Sequence, residues 1–228
     1  MKYKGILALG AVALLAGGLL LAWQSTPDPA RASQPAGGDP ASSAEAAAER
    51  RKIADDPIAP KHAPQGYDLS IVFYTDYQCP YCRMLHKTLE RLAADDGKIR
   101  IVYRDWPIFG APSIDAAKAA IASQWQGKHA EFNDALMQIE GKLDSAKIRA
   151  AADKAGVDWE RLQTDLKARK SDIDGLLNRT SRQAAMMGLQ GTPALLVGPY
   201  LAPGALDYAT LARAARLARE FEQGNSTL

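Results

Sequence analysis

The sequence predicts an α/β domain with a helical insertion, preceded by an N-terminal membrane anchor or signal segment. Three observations predict it. A lysine-led apolar run opens the chain. From about residue 66, short β-branched and aromatic runs alternate with amphipathic helical patterns. Within that stretch, residues 112–188 read as helical nearly throughout, an insertion between strands.

The first 23 residues form the targeting element. Lys2 and Lys4 precede an uncharged run from Gly5 to Trp23, 19 residues that would span about 28 Å as a helix. That is close to the hydrocarbon thickness of a bilayer. Positive charge ahead of the run predicts a cytoplasmic N-terminus and an exported remainder. The length favours an uncleaved anchor that touches the membrane. Ala30-Arg31-Ala32 is the candidate site for a cleaved signal, and it lies far from the run. Either form predicts a place in the bacterial cell envelope, on the periplasmic side, where disulfides persist.

Residues 24–65 are rich in Pro, Ala, Ser and Gly and read as a tether. Ser42–Ala54 has some helical character, but a solvated linker is the simpler reading. The folded domain is expected over residues 66–222, with 223–228 as a tail. Leu69–Thr75 (LSIVFYT) reads as a buried strand. After a short loop, Cys82, Leu85, Leu89 and Leu92 recur at helical steps. Ile99–Tyr103 is a second strand. In the insertion, Ser113, Asp144 and Asp158 are expected helix caps and Gly156 a stop, giving three or four helices. Ala194–Val197 is a third strand, and Asp207 caps a last helix through Phe221.

Composition narrows the function classes. Net charge is +2, with basic and acidic residues interspersed, which excludes a nucleic-acid partner. The chain has only two cysteines, Cys79 and Cys82. In the chain-entropy model a bridge across so small a loop stabilises by about 2 kcal/mol before strain is subtracted. The pair is therefore a poor staple, and its spacing is that of redox chemistry.

The attacking group in disulfide exchange is the thiolate. Cys79 falls where a strand hands over to a helix, so unpaired N–H groups and the helix dipole favour its charge. Cys82, one turn on, is the expected resolving thiol. Pro80 suits a first helical turn. Tyr81 adds no positive charge. Pro80, Tyr81 and Asp76 are the candidate tuning residues. Thr192-Pro193 enters a strand and is the candidate substrate-binding loop, open to a cis bond. Such a loop presents backbone groups to an extended substrate.

A metal-binding module remains an alternative, with Cys79, Cys82 and His86 as ligands. No second cysteine pair completes a closed site, and a histidine between Leu85 and Lys87 reads as a surface residue. No metal is therefore expected. Met84, Met137, Met186 and Met187 read as packing residues. Cys82→Ser separates the alternatives, since only an exchange enzyme would accumulate mixed disulfides.

FYTDYQCPYC, RDWPIFG, GKHAEFNDALM and GTPALLVG, in this order, resemble the DsbA-like thiol–disulfide oxidoreductases, in particular the bacterial envelope branch with Cys-Pro-Tyr-Cys. The resemblance covers about Tyr67 to Phe221. It implies a thioredoxin-like fold with a helical insertion, a cis bond at Pro193, Cys79 as nucleophile and Cys82 as resolving cysteine. It implies that Thr192 tunes the thiolate and contacts substrate backbone. It implies a redox-active disulfide with no other cofactor, exported cysteine-containing protein substrates and a membrane redox partner. Disulfide introduction is the leading direction; isomerisation or reduction on the same fold is the alternative. One position departs from the family. Many relatives carry a buried acid six residues before the first cysteine, where this chain has Phe73. Water or Asp76 would then handle the resolving thiol's proton.

Overall fold

A computed structural model describes residues 40–224. The expected anchor or signal segment, the first part of the tether and the last four residues lie outside them. Among the described residues no helix is long and apolar enough to cross a membrane.

The centre of the fold is a parallel pair of strands. β2 (Leu69–Thr75) runs beside β3 (Ile99–Asp105), with Leu69 opposite Ile99 and Thr75 opposite Asp105. Both strands are buried along nearly their whole length, which explains why they read as continuous apolar runs and not as alternating ones. β4 (Ala194–Val197) pairs antiparallel with β2, and β5 (Tyr200–Pro203) pairs with β4 as an exposed edge. β1 (Lys61–His62) forms the other edge, antiparallel to β3, so the order is β1-β3-β2-β4-β5. Gly198 turns β4 into β5 with φ of 52°, and a Cβ there would come within 2.9 Å of the Ala218 Cβ on the last helix. Glycine lets the hairpin sit directly on that helix.

α1 (Pro40–Ala54) corrects the preference for a solvated linker over Ser42–Ala54. The alanine-rich segment is helical because its end is held by the domain: Ile53, Ala54 and Ala59 are buried in the core. Asp56, just beyond, accepts hydrogen bonds from Arg104 of β3 and from Arg179. Residues from Pro40 onward therefore pack with the domain expected to start at residue 66.

α2 (Pro80–Asp96) follows β2 and ends at Gly97 in the left-handed region. The insertion contains five α-helices, not three or four: α3 (Ala111–Ser123), α4 (His129–Met137), α5 (Ser145–Lys154), α6 (Trp159–Ala168) and α7 (Lys170–Met186). The extra division falls at Arg169, between α6 and α7, where neither glycine nor proline marks it. Asp144 and Asp158 cap α5 and α6, accepting from Lys147 N–H and Arg161 N–H. Asp207 caps α8 (Tyr208–Glu222), accepting from Thr210 N–H. Ser113 is not a cap. α3 starts two residues earlier, and Ser113 is buried inside it with its hydroxyl committed to the loop after β2.

Candidate active site

The loop Asp76–Gln78 delivers Cys79 to the N-terminus of α2. Cys79 is the N-cap, with extended backbone (φ −75°, ψ 117°), and Pro80 opens the helix. The Cys79 carbonyl accepts from the N–H groups of Cys82 and Arg83 at 3.1 and 3.2 Å. Both cysteines are free thiols. Cys79 exposes 2% of its surface and Cys82 none, which ranks Cys79 as the sulfur a substrate reaches first.

The Thr192–Pro193 peptide bond is cis and lies against the pair. The Cys79 Sγ lies 3.3 Å from the Thr192 carbonyl oxygen, which it can reach as a donor only while protonated. The Cys82 Sγ accepts from the Asp76 N–H at 3.5 Å. The two sulfurs are driven apart in acidity. A hydrogen bond from the Cys82 thiol to the Cys79 sulfur outweighs the cost of burial; with help from the Cys82 N–H, Thr192 and the Tyr81 N–H it brings Cys79 down to about 6. Burial, reinforced by that same bond to Cys79, pushes Cys82 far up. One sulfur is a thiolate at neutral pH and its neighbour holds a proton.

The structure thus brings Cys79, Cys82 and Thr192 together, with Pro193 next in the chain. Tyr81 contributes its N–H, while the residue itself is exposed. Asp76 sits on the loop as expected but is buried, and both of its oxygens are occupied. Oδ1 accepts from the Gln78 N–H and the Ser113 hydroxyl, and Oδ2 from the N–H groups of Ile108 and Phe109. It braces the loop that carries Cys79 against the β3–α3 turn.

His86 is not at the surface. It is buried between α2 and α4, with Nε2 3.3 Å from Asp134 Oδ1. Burial, aided by the neighbouring His86, holds His129 down at about 3, so His129 is neutral. Two of the methionines read as packing residues, Met84 and Met186, are exposed, the latter at 80%. Tyr81, Ile108 and Phe109 are exposed apolar residues on α2 and on the β3–α3 turn.

Sequence reading missed Gln78, Thr75 and Asp105. Gln78 donates to the Phe109 carbonyl and to Ser113, and accepts from the Leu143 N–H. Thr75 and Asp105 are the last residues of their strands and pair in register. A buried acid at a strand end was the one available signal for Asp105, and it was obscured by the neighbouring charge of Arg104.

A family model described as DSBA-like thioredoxin domain matches residues 70–216. The chain belongs to the DSBA-like thioredoxin domain family. Its members are thiol–disulfide oxidoreductases, and the asymmetric cysteine pair gives this chain the means for that reaction. A thioredoxin-like oxidoreductase from Silicibacter pomeroyi DSS-3 is 35% identical, with a TM-score of 0.71, over 75% of this chain and 98% of that one. A periplasmic thioredoxin-like protein from Salmonella enterica serovar Typhimurium is 25% identical, with a TM-score of 0.65, over 75% and 95% of the two chains. Among curated proteins, a Na(+)/H(+) antiporter NhaA 1 from Mycolicibacterium gilvum is 27% identical over 94% of this chain, which spans only 33% of that protein. DSBA-like proteins work through a redox-active disulfide and need no further cofactor.

Proposed function

We propose that this DSBA-like protein introduces disulfides into exported cysteine-containing proteins on the periplasmic side of the envelope. The observation that carries the reading is the opposite acidity of the two sulfurs. A stabilised Cys79 thiolate favours the reduced form, and a stable reduced form makes the disulfide a strong oxidant.

In the cycle, a substrate thiolate attacks Cys79 Sγ of the Cys79–Cys82 disulfide. The S–S bond breaks and Cys82 leaves with the electron pair and takes a proton. A second substrate thiolate then attacks the substrate sulfur of the mixed disulfide. Cys79 leaves readily because its thiolate is stable. The substrate gains a disulfide and the protein is left as a dithiol. A membrane redox partner takes the two electrons and restores the pair. The Thr192-Pro193 loop lines a groove of about 310 Å³ with Met187, Leu189 and Leu201. This apolar groove suits an unfolded client better than a folded one.

The lysine-led apolar run and the periplasmic relative support an envelope location. Two measurements test the reading. The reduction potential of the pair, from equilibration with glutathione, is expected at about −200 mV or higher, on the oxidising side of thioredoxin. A value near about −270 mV would reverse the direction to reduction. Cys82→Ser in cells is expected to accumulate mixed disulfides between Cys79 and exported clients; their absence would remove the exchange reading.

A further inference from the structure

Arg83 lies one turn into α2, near the end of the helix where the macrodipole favours anions and opposes cations. It is half-buried, so its charge is also partly withdrawn from water. A cation under both penalties is expected to meet a carboxylate. Among the described residues Arg83 meets none within ion-pair distance. Its two side-chain hydrogen bonds run to neutral carbonyls: Nε donates to Tyr77 O at 2.9 Å and Nη2 to Gly141 O at 3.2 Å.

Those carbonyls place the guanidinium. Residues four apart share a helix face, and helical side chains lean toward the N-terminus. Arg83 follows Cys79 by four, and its own N–H donates to the Cys79 carbonyl at 3.2 Å. By reaching on to Tyr77 O, two residues before Cys79, the side chain passes back beside the N-cap that carries the nucleophile. Gly141 holds the other prong of the fork. It turns the α4–α5 loop with φ of 70°, and the flanking carbonyls of Glu140 and Lys142 accept from Lys147 Nζ at 3.0 and 2.8 Å. The Leu143 N–H donates to Gln78 Oε1 at 3.1 Å, which fastens this loop to the turn before Cys79. The guanidinium is thus fixed from two sides at the mouth of α2, and no carboxylate neutralises it there.

We propose that Arg83 is a positioning residue for the exchange reaction: a fixed cation at the mouth of α2 whose counter-charge appears when Cys79 becomes a thiolate, so that it stabilises the reduced pair over the disulfide. In the disulfide both sulfurs are neutral. The guanidinium then has only Asp76 as a nearby anion, and the Asp76 oxygens already accept four other hydrogen bonds. As two client thiolates become a client disulfide, the Cys79–Cys82 bond takes up their two electrons and one proton. Cys82 keeps the proton and Cys79 the negative charge, and that new anion is what Arg83 gains. This role rests on thiol–disulfide exchange at Cys79–Cys82 and deepens it, because a partner present only for the reduced form makes the disulfide more oxidising.

The charges around the site agree. Burial lowers Arg83, while Asp76, Cys79 and Cys82 pull it back up. A guanidinium stays charged throughout. At Cys79 the hydrogen bond from the Cys82 thiol is the larger influence and the Arg83 charge the smaller one. Other titratable groups do not replace it. Glu140 and Lys142, on the loop beside Arg83, are exposed and opposite in sign. Residues 190–193, leading to the cis bond, carry no charged side chain. Burial raises Asp105 of β3 to about 8, so it is protonated where Cys79 titrates.

The test is the titration of Cys79 in the full-length reduced protein, read by thiolate absorbance and by the pH dependence of iodoacetamide labelling. Arg83→Met and Arg83→Gln remove the charge, and glutamine retains a donor. Both should raise the midpoint by about half a pH unit or more, a loss of thiolate stability of roughly threefold. Arg83→Lys keeps the charge without the fork and should recover at least about half of that shift. The equilibrium constant with glutathione should move in step, roughly threefold toward the protein disulfide in the neutral variants. High salt should raise the wild-type midpoint more than that of the neutral variants, because a half-exposed charge is screened. An unshifted midpoint in both neutral variants, or a lysine variant that matches methionine, overturns the proposal. Cys82→Ser separates this from the exchange reading itself. Mixed disulfides trapped normally beside an unshifted midpoint sink only the role of Arg83, whereas no trapped disulfide removes the exchange.

Discussion

Cys79 carries its charge because of what points at it, and this gives the reduced protein a pH signature. A thiol lowered to about 6 stabilises the folded reduced state above its unfolded value of about 8.5, and that stability is lost as pH falls through 6. Denaturant unfolding of the reduced protein should thus show stability falling from pH 9 to pH 6, a slope absent in Cys79→Ser. Iodoacetamide should label Cys79 with a midpoint near pH 6 and leave Cys82 unlabelled. Asp76 belongs to this scale too. Asp76→Ala strands four donors, two of them backbone N–H groups of the β3–α3 turn, and should cost roughly 3 kcal/mol or more in unfolding free energy. The cysteines, Thr192 and Pro193 were legible as residues because spacing and turn chemistry are local. Ser113, Gln78 and Asp105 were not, because their partners lie about 30 or more positions away. Such a pairing exists only once the sheet has formed.

Strands and caps were the elements most visible in advance. β2 and β4 occupy the ranges read from their apolar runs, and Asp144, Asp158 and Asp207 cap the helices their positions suggested. Both signals are dictated within a few residues. The break at Arg169 and the helix α1 were hidden for the opposite reason. Nothing local stops one or starts the other; burial of Ile53 and Ala54 against the domain decides α1. Asp158→Ala should cost about 1 kcal/mol, read as a lower midpoint in urea, because the Arg161 N–H loses its acceptor. The exchange rate should be unchanged, since α6 touches no part of the cysteine site.

At the scale of the whole molecule, Asp56 joins three parts of the chain: the segment after α1, β3 through Arg104, and α7 through Arg179. Burial opposes its charge, but the hydrogen bonds from Arg179 and Arg104 prevail and hold it at about 2. Its contribution is therefore present above about pH 4 and lost as pH falls toward 2. Asp56→Ala leaves the fully buried Arg104 without its carboxylate and should cost about 3–5 kcal/mol, measured by thermal or denaturant unfolding at pH 7. The insertion is fastened to the core on both sides of the nucleophile: Tyr77 to Asn133, Gln78 to Leu143, Arg83 to Gly141 and His86 to Asp134. A cap held by such flanking stitches does not swing as a free lid. Any tilt of the helical block drags the cysteine-bearing turn with it, so a client that levers on the insertion also retunes the sulfur it is about to meet.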